Sequence, residues 1–280
     1  MRNENMNEPL NSQSCKTRVM PSLTHGSVFS GIGGFDLAAE LNDIKNIFHC
    51  EWVNEKRQML ETKFPKSLSY GDIQQTNFTI HRGKINILSG GFPCQDASIA
   101  KQDGKGQQGL QGERTGLFFE FCRAIEEIRP DYIIAENVAN ILKTNKGKDF
   151  SRILTELSRM GYNAEWRVCR ASEVGAPHHR ARLYLVAYSS GIRLQKNDTL
   201  FKYIQEKNEP FTWELAGTSV QISTGGKWFL RKPPSIRVDH GLSNKLAGER
   251  IHGYGNAIVP EIASRIFKAI YEHRISLSEA

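Results

Sequence analysis

The stretch Ser27-Val28-Phe29-Ser30-Gly31-Ile32-Gly33-Gly34-Phe35 decides the fold of this chain. Its apolar start, Val28-Phe29, predicts a short buried strand, and the glycine-rich turn leads into a helical pattern over residues 35–41. Glycine lets another molecule approach the backbone closely, and the first amide groups of a helix are free to bind it. The stretch therefore predicts a strand–turn–helix unit that holds a nucleotide-like cofactor. A purely structural turn is the alternative, because the glycine spacing differs from the dinucleotide pattern GxGxxG.

Strand and helix patterns alternate along the chain up to residue 188. Further apolar strand patterns lie at residues 46–51, 85–88, 132–135, 164–168 and 183–187. Helix patterns lie at residues 54–63, 117–128 and 153–160, and another begins at Pro260. Apolar strands that alternate with helices form mainly parallel sheets covered by helices on both faces. We therefore predict an α/β fold, Rossmann-like, with a mainly parallel, doubly wound sheet.

Composition divides the chain into four parts. Residues 1–25 are polar and without periodicity, so we expect a disordered tail. Residues 26–188 carry the patterns of the predicted cofactor-binding domain. Residues 189–248 are rich in Lys, Asn, Gln, Thr and Gly, which predicts a small, irregular second domain. Residues 249–280 regain a helical pattern.

Composition and charge limit the kind of protein. The chain has 280 residues, 39% of them hydrophobic, and no apolar run long enough to span a bilayer, so we expect a soluble protein without a membrane partner. Its five cysteines are odd in number and form no CxxC pair, which argues against a disulfide framework or a metal site and favours a reducing, cytoplasmic compartment. A net charge of +7 fits a nucleic-acid partner, although a merely basic soluble protein fits it as well.

Cys94 stands in the second informative stretch, Ser89-Gly90-Gly91-Phe92-Pro93-Cys94-Gln95, which follows a predicted strand. A Gly-Gly and Pro turn at a strand end presents a cysteine as a nucleophile; the alternative is an inert core cysteine. A thiol with an ordinary pKa near ~8.5 needs a helix N-terminus, a cation or substrate protonation to react at neutral pH. Residues 95–116 contain five glycines with lysines among them, which predicts a long mobile loop.

Acidic and aromatic residues after other strands are candidates for holding the cofactor. Glu51 ends the strand at 46–51, where a carboxylate can bind ribose hydroxyls. Trp52 beside it could stack on an adenine, although a lone tryptophan is more often a core residue. Asp72 follows Tyr70-Gly71 and could hold an adenine amino group or be a turn aspartate.

Charged residues at two further strand ends could act on a substrate. Glu136 follows an apolar strand, where a raised pKa would suit an acid; an incidental glutamate before a helix-capping Asn137 is the alternative. Arg180 and Arg182 point the same way in an extended segment and could face one anion or carbonyl; a solvated charge pair is the alternative. Carboxyl ends of parallel strands share one edge. The residues expected to share a cleft there are Gly31, Glu51, Cys94 and Glu136.

These residues, in this order, resemble the cytosine-5 DNA methyltransferases over about residues 27–186 and from Gly253 onward. In that family the first matching stretch binds S-adenosylmethionine, the second carries the catalytic cysteine, and the last begins a helix that returns to the cofactor domain. The matching stretches are Phe29-Ser30-Gly31-Ile32-Gly33-Gly34, Gly91-Phe92-Pro93-Cys94-Gln95, Glu136-Asn137-Val138, Arg180-x-Arg182 and Gly255-Asn256-Ala257-Ile258-Val259-Pro260.

The resemblance implies a role for each matching residue. Cys94 would attack carbon 6 of a cytosine, Glu136 would bind and protonate ring nitrogen 3, and carbon 5 would then take the methyl group. Arg182 would hold the base, with Arg180 supporting it. The cytosine would be flipped out of duplex DNA, and the loop at 95–116 would close over it. The residues implied for S-adenosylmethionine are Phe29, Ser30, Gly31, Ile32, Gly33, Gly34, Glu51, Trp52, Asp72, Ile73, Pro93, Leu117, Asn256 and Ala257.

The resemblance also implies partners and a role for the rest of the chain. Double-stranded DNA would be the substrate of a monomeric enzyme, either of a bacterial modification system or carried by a phage. A bacterial modification system would add a cognate restriction endonuclease. Residues 189–248 would be the target-recognition region, and residues 249–280 would return to the catalytic domain. A tRNA methyltransferase of the same superfamily and a non-catalytic DNA-binding regulator stay open as alternatives. A nicotinamide oxidoreductase is disfavoured by the glycine spacing.

Overall fold

The computed structural model of the chain describes residues 22–93, 116–176, 179–194, 198–205, 213–215, 218–220 and 258–279. Its strands are β1 Thr24–Val28, β2 Lys45–Cys50, β3 Leu68–Tyr70, β4 Ile87–Gly90, β5 Tyr132–Val138, β6 Tyr162–Arg170, β7 Ala181–Ser189, β8 Trp213–Leu215 and β9 Thr218–Val220. Its α-helices are α1 Gly34–Glu40, α2 Asn54–Lys63, α3 Gly116–Ile128, α4 Lys148–Arg159 and α5 Pro260–Glu279. The predicted alternation of strands and helices is confirmed, and the short strands β3, β8 and β9 were not predicted.

The main sheet has seven strands in the order β3-β2-β1-β4-β5-β7-β6. β1 pairs in parallel with β2 on one side and β4 on the other, whereas β7 is antiparallel to both of its neighbours. Residues 171–180 join β6 to β7, and a parallel crossover needs a longer connection of a dozen or more residues. The sheet is therefore mainly parallel, as predicted. The strand order reverses between β1 and β4, and ligands of such sheets bind at the carboxyl ends of the strands there.

Apolar side chains cover both faces of the sheet. Ile133 of β5 lies in a cluster with residues of α3 and α4, while the next residue, Ile134, lies in the opposite cluster with residues of α1 and α5. Successive strand residues point to opposite faces, so a strand between two helical layers is apolar throughout. These two layers confirm the Rossmann-like, doubly wound prediction. The predicted apolar stripe of α5 is also confirmed, and its fully buried members are Ile262, Ile266, Phe267 and Ile270.

The ordered domain begins earlier than predicted. β1 starts at Thr24 and Leu23 is buried, so both lie in the segment predicted to be a disordered tail. The strand was not predicted to begin here because His25 is polar and polar residues are usually exposed. In the structure His25 is buried, and polar partners inside the core satisfy its ring. Its Nδ1 donates to Asn46 Oδ1 at 2.6 Å, and its Nε2 accepts from Ser89 Oγ at 2.7 Å. Burial lowers the pKa of His25 to about 4, which keeps the ring neutral.

β5 is longer than predicted, so Glu136 lies inside the strand and not past its end. The parallel ladder with β4 stops at the pair of Gly90 and Ala135, whereas pairing with β7 continues to Val138. Antiparallel pairing with β7 therefore extends the strand. Glu136 is still the first residue of β5 beyond the end of β4, at the carboxyl edge of the sheet.

Several predictions concern residues outside the described ranges. Cys94, the loop that follows it up to residue 115, and Asn256 and Ala257 all lie outside them. Within residues 189–248 the structure describes short segments, among which β8 and β9 form an antiparallel hairpin. The predicted second domain stays a prediction.

Candidate active site

The turn after β1 has a backbone conformation that most residues avoid. The φ angles are 53° at Phe29, 59° at Gly31 and 84° at Gly33. A positive φ strains a residue such as Phe29, and such strain is typical of ligand sites. Gly33 also leaves room for its neighbours, since a β-carbon there would lie 2.7 Å from Phe64 Cε2 and 2.8 Å from Leu60 Cδ2. A β-carbon at Gly31 would meet nothing within 4 Å, so the turn is open at that point.

The same turn is tied to the carboxyl end of β2. Ser30 N donates to Cys50 O at 3.1 Å, and Cys50 N donates back to Ser30 Oγ at 3.1 Å. Glu51 is buried, and its Oε2 accepts from Gly31 N at 2.7 Å while its Oε1 accepts from Val53 N at 3.0 Å. A carboxylate has about four acceptor positions. Glu51 therefore holds the turn in place and keeps capacity to accept further hydrogen bonds.

Trp52 and Asp72 continue this edge toward β3. Trp52 is 70% exposed, so the interpretation as a core tryptophan is wrong. The Asp72 carboxylate accepts from Gln74 N at 2.9 Å and from Gln75 Nε2 at 3.1 Å, and it caps the short 3-10 helix Ile73–Gln75. The turn-aspartate interpretation is thus confirmed. Contact of Asp72 and the buried Ile73 with an adenine stays a prediction.

A buried polar cluster lies beneath the turn. Asp36, in the first turn of α1, is fully buried, and Ser27 Oγ lies 2.9 Å and 3.0 Å from its two carboxyl oxygens. Ser30 Oγ lies 2.6 Å from Ser27 Oγ. Burial raises the pKa of Asp36 to about 7, against the opposing effect of the hydrogen bond from Ser27. These bonds join β1, the turn and α1 in one unit.

Glu136 is the buried acid at the other side of the switch point. Burial raises the pKa of its carboxyl to about 7, although Arg182 and then Arg180 lower it. Arg182 Nε lies 3.1 Å from Glu136 Oε1, which is within the range of an ion pair. That oxygen nevertheless receives no well-directed hydrogen bond from the described residues. The ion pair with Arg182 is therefore its main stabilising contact, and Oε1 can still accept a better-directed hydrogen bond.

Arg180 and Arg182 lie in one cluster with Glu136. Burial, and next the charge of Arg182, lowers the pKa of Arg180, while Glu136 raises it. The Arg182 side chain is only 21% exposed. The alternative of a solvated charge pair is therefore wrong for Arg182, and the charges of both arginines act on the Glu136 carboxyl at the carboxyl edge.

The turn after β4 lies directly against Glu136. A β-carbon at Gly91 would lie 3.4 Å from Glu136 Oε2, and Asn137 Nδ2 donates to Phe92 O at 3.2 Å. Asn137 therefore holds this turn and does not cap a helix. Pro93, which is half-buried, follows at once, so the chain reaches the residue before Cys94 beside Glu136.

The segment before α5 packs on both turns. A β-carbon at Gly34 would lie 2.7 Å from Ile258 Cβ, and one at Gly91 would lie 3.4 Å from Ile258 Cδ1. Gly34 must therefore be small for Ile258 to approach. Ile258 thus lies between the first turn and the second. Leu117, at the start of α3, is half-buried and packs on the cluster that includes Phe92.

The cysteines differ in their surroundings. Cys50, Cys122 and Cys169 are all buried as free thiols, and burial raises the pKa of each to about 12. They therefore stay protonated and unreactive at neutral pH. Of the five cysteines in the sequence, these three are excluded as nucleophiles.

Comparison with known proteins agrees with this geometry. A family model described as C-5 cytosine-specific DNA methylase matches residues 23–232, which is more than half of the chain. The chain belongs to this family. All of β1 to β9, with the two turns, Glu136 and the arginine pair, lies inside the matched range.

The chain is similar to known proteins both in sequence and in structure. The Type II methyltransferase M.HpaII of Haemophilus parainfluenzae is 32% identical over 264 residues, which cover 89% of this chain and 70% of that protein. M.Sau3AI of Staphylococcus aureus is 33% identical over 183 residues, which cover 60% of this chain and 44% of that protein. The crystal structure of an E. coli prophage protein described as a DNA modification methyltransferase matches with a TM-score of 0.53 and 25% identity, over 64% of this chain and 50% of that one. The chain spans about half the length of several of the curated relatives that it matches, M.Sau3AI among them.

Two features of this family member were missed from the sequence. Asp36 reads as an ordinary helix residue, since nothing in its neighbours reveals the contact with Ser27. Ile258 lies in the matching stretch from Gly255 to Pro260, and no role was predicted for it, although it packs on Gly34.

Within the described ranges, no group of three or more His, Cys, Asp or Glu side chains is arranged for a metal ion. No helix in that part of the chain is long and apolar enough to cross a membrane.

Proposed function

We propose that this chain transfers the methyl group of S-adenosylmethionine to carbon 5 of a cytosine in a specific sequence of double-stranded DNA. Membership of the C-5 cytosine-specific DNA methylase family supports the reaction class. One observation carries the proposal. It is the buried Glu136 carboxyl, with its pKa raised to about 7, beside Arg182 and against the turn that leads into Cys94.

The residues at the first turn fit a cofactor with a nucleoside part. The turn is open at Gly31, Glu51 offers carboxylate acceptors, and the exposed Trp52 offers an aromatic face beside them. S-adenosylmethionine supplies an electrophilic methyl group on a sulfonium. In the proposal Phe29 to Gly34, Glu51 and Trp52 hold it. The remaining residues proposed for the pocket are Asp72, Ile73, Pro93, Leu117, Asn256 and Ala257.

Cys94 is the proposed nucleophile. Its thiolate forms a bond to carbon 6 of the cytosine, and the electron pair of the 5,6 double bond moves toward carbon 5. Carbon 5 would then take the methyl group as its bond to the sulfonium sulfur breaks, so that S-adenosylhomocysteine leaves. Loss of the proton on carbon 5 to a base such as water would restore the double bond, and the electron pair of the bond from sulfur to carbon 6 would return to Cys94. The proposal rests on the order of the chain, since Pro93 precedes Cys94 and the turn before it lies against Glu136.

Glu136 is the proposed acid. A carboxyl with a pKa of about 7 is partly protonated at neutral pH, so it can donate a proton to ring nitrogen 3 while carbon 6 is attacked. Protonation of the ring draws electrons away from carbon 6 and assists the weak thiol nucleophile. Oε1, which lacks a well-directed hydrogen bond within the described residues, has capacity for the amino group of the base.

Arg182 and Arg180 are proposed to hold the base. Guanidinium groups donate several hydrogen bonds in a fixed plane and carry a charge at every relevant pH. Arg182, the one beside Glu136, is proposed to bind the cytosine carbonyl, with Arg180 supporting it. Both groups also keep the pKa of Glu136 from rising further.

Access to a base in duplex DNA requires that the cytosine be flipped into the cleft. The net charge of +7 supports DNA as the partner. We further propose that residues 189–248 recognise the target sequence and that residues 249–280 return to the catalytic domain, which the packing of Ile258 on Gly34 supports. A monomeric, cytoplasmic enzyme that works with a cognate restriction endonuclease completes the proposal.

The proposal is tested by transfer of a labelled methyl group to matched duplex DNA and tRNA. We expect transfer to DNA and none after Cys94→Ser, while the variant still binds the cofactor. The matched control is Cys122→Ser, since Cys122 is a buried thiol with a raised pKa. Transfer to tRNA alone, or undiminished transfer by Cys94→Ser, would overturn the proposal.

A further inference from the structure

Arg123, midway along α3, is bound to the chain segment that follows β3. Its Nη2 donates to Ile73 O at 2.6 Å, and its Nη1 donates to Thr76 O at 3.1 Å. The guanidinium group thus uses its planar arrangement of donors to hold two backbone carbonyl groups of one segment. Hydrogen bonds from a charged donor are stronger than those between neutral groups.

Two carboxylates of α3 fix the same guanidinium. Glu120 Oε2 lies 2.7 Å from Arg123 Nε, and Glu127 Oε1 lies 2.6 Å from Arg123 Nη1. The other oxygen of Glu127, Oε2, accepts from Phe78 N at 2.7 Å. Arg123 and Glu127 therefore hold the segment at both of its ends, from Ile73 to Phe78.

The held segment leaves the sheet beside the cofactor site. Glu51 N donates to Tyr70 O at 3.0 Å, so the end of β3 lies next to Glu51. Thr76 Oγ1 donates to Asp72 O at 2.7 Å, which joins the residue bound by Arg123 to Asp72. The segment makes no strand pairing after Tyr70 within the described residues. Besides the core packing of Ile73 and Phe78, these side-chain bonds to α3 fix its position.

Arg159 shows what an arginine with a purely structural role does in the same region. It pairs with Glu126 of α3 at 2.7 Å and with Glu156 of α4 at 2.9 Å. Those contacts join two helices through carboxylates on the surface, where such pairs contribute little. Arg123 differs because it also binds the backbone of the segment that carries Asp72 and Ile73.

We propose that Arg123, supported by Glu127, is a positioning residue for the adenosine part of the cofactor. The proposal rests on the proposed function, in which Asp72 and Ile73 contact the adenine. Arg123 holds the carbonyl of Ile73, and through Thr76 it orients Asp72, so the adenine edge is formed before the cofactor arrives. The residue touches neither the cofactor nor the reacting atoms, and its effect falls on cofactor binding.

The first experiment compares Arg123→Met, Arg123→Lys and the matched control Arg159→Met in the full chain. S-adenosylhomocysteine binding is measured by calorimetry, and methyl transfer to DNA gives KM for S-adenosylmethionine and kcat. Arg123→Met should raise Kd and KM at least tenfold with kcat within threefold, the pattern of lost binding and not of lost chemistry. The Kd and KM of Arg123→Lys should fall between those of the wild type and Arg123→Met, because an ammonium keeps the charge but cannot bind two carbonyls and two carboxylates at once. Arg159→Met should stay within twofold of the wild type.

The second experiment separates positioning from general loss of stability. Binding of S-adenosylhomocysteine is compared with that of S-inosylhomocysteine, in which oxygen replaces the adenine amino group. The wild type should prefer the adenine compound, and Arg123→Met or Arg123→Lys should reduce that preference at least threefold. Equal weakening of both compounds would overturn the positioning role, as would unchanged affinity in Arg123→Met. If the positioning role is overturned in this way but the wild type still transfers methyl groups to DNA, the proposed function stands. If the wild type binds neither compound, the positioning role and the proposed function are both overturned.

Discussion

Asp36 and Glu136 are two buried carboxyl groups on opposite sides of the switch point, and burial raises the pKa of each to about 7. Their surroundings differ. Asp36 is fully buried and has Ser27 Oγ within 3.0 Å of both oxygens. Glu136 lies beside Arg182, and its Oε1 receives no well-directed hydrogen bond from the described residues. Asp36 is satisfied by the fold, whereas Glu136 keeps its capacity for a ligand.

The comparison shows that a raised pKa does not by itself identify a catalytic acid. Both groups are pushed toward the neutral form by the same cause, loss of hydration. What distinguishes Glu136 is its position at the carboxyl edge, the ion pair with Arg182, the added charge of Arg180 and the turn before Cys94 lying against it. Four predictions test this difference, beginning with the largest effect on activity.

Glu136→Gln should reduce kcat for methyl transfer at least ~100-fold, the usual scale for loss of a general acid. The amide keeps the shape of the side chain but cannot donate a proton in the same way. Cofactor affinity should change less than threefold. The measurement is single-turnover transfer to a duplex substrate with saturating cofactor. A loss of only twofold would mean that Glu136 resembles Asp36 and has no part in the chemistry.

Arg182→Met should reduce kcat/KM for DNA about tenfold or more, since it removes the charged hydrogen bond proposed to hold the base. It should also raise the pKa of Glu136 further, because Arg182 is the main group that lowers it. The matched control is Arg170→Met, whose side chain is 58% exposed and pairs with Glu173 at 3.4 Å. Equal kcat/KM in the two variants would separate Arg182 from the site.

The pH dependence of kcat/KM should report Glu136. The folded pKa is raised from 4.5 to about 7, so the proton needed for catalysis is present below that pH and is lost above it. We expect a fall of roughly fivefold between pH 7 and pH 8 on the alkaline limb. The limb should disappear in Glu136→Gln, which carries no titrating proton. A limb that persists in that variant would assign it to another group.

Asp36→Asn should leave kcat and KM within twofold and should instead change how stability depends on pH. The folded pKa of Asp36 is raised from 3.8 to about 7, so its contribution to stability is complete below the lower value and is lost as the pH rises through the higher one. Asparagine stays neutral, and the variant should therefore gain roughly 4 kcal/mol relative to the wild type between pH 4 and pH 8.

Denaturant unfolding at the two pH values measures this gain. Asp43→Asn is the matched control, because Asp43 is exposed. Parallel stability curves for the wild type and Asp36→Asn would show that Asp36 is ionised at no cost. A large loss of activity in Asp36→Asn would make the two buried acids alike and remove the distinction between them.

The elements and motifs were predictable where their signal is local. The apolar residues of β5 and the stripe of α5 were found from spacing alone, because periodicity follows from strand and helix geometry. β1 was placed too late, since His25 reads as polar until Asn46 and Ser89 are seen beside it. Glu136 was placed past the strand, since only the pairing with β7 extends β5 to Val138. The sequence of one strand does not show which distant strand pairs with it or how far that pairing extends.

The sequence by itself determined the α/β class, the family and the order of the chemical groups along the chain, from the turn at Gly31 through Cys94 to Arg182. Those features depend on short runs of residues, and the residue types and their spacing are enough to predict them. Only the tertiary structure decided that Asp36 is satisfied by Ser27, that Glu136 faces Arg182, and that Arg123 holds Ile73. The physical reason is that burial and hydrogen bonding depend on contacts between residues far apart in the chain, and these contacts give the two buried carboxyl groups their different surroundings.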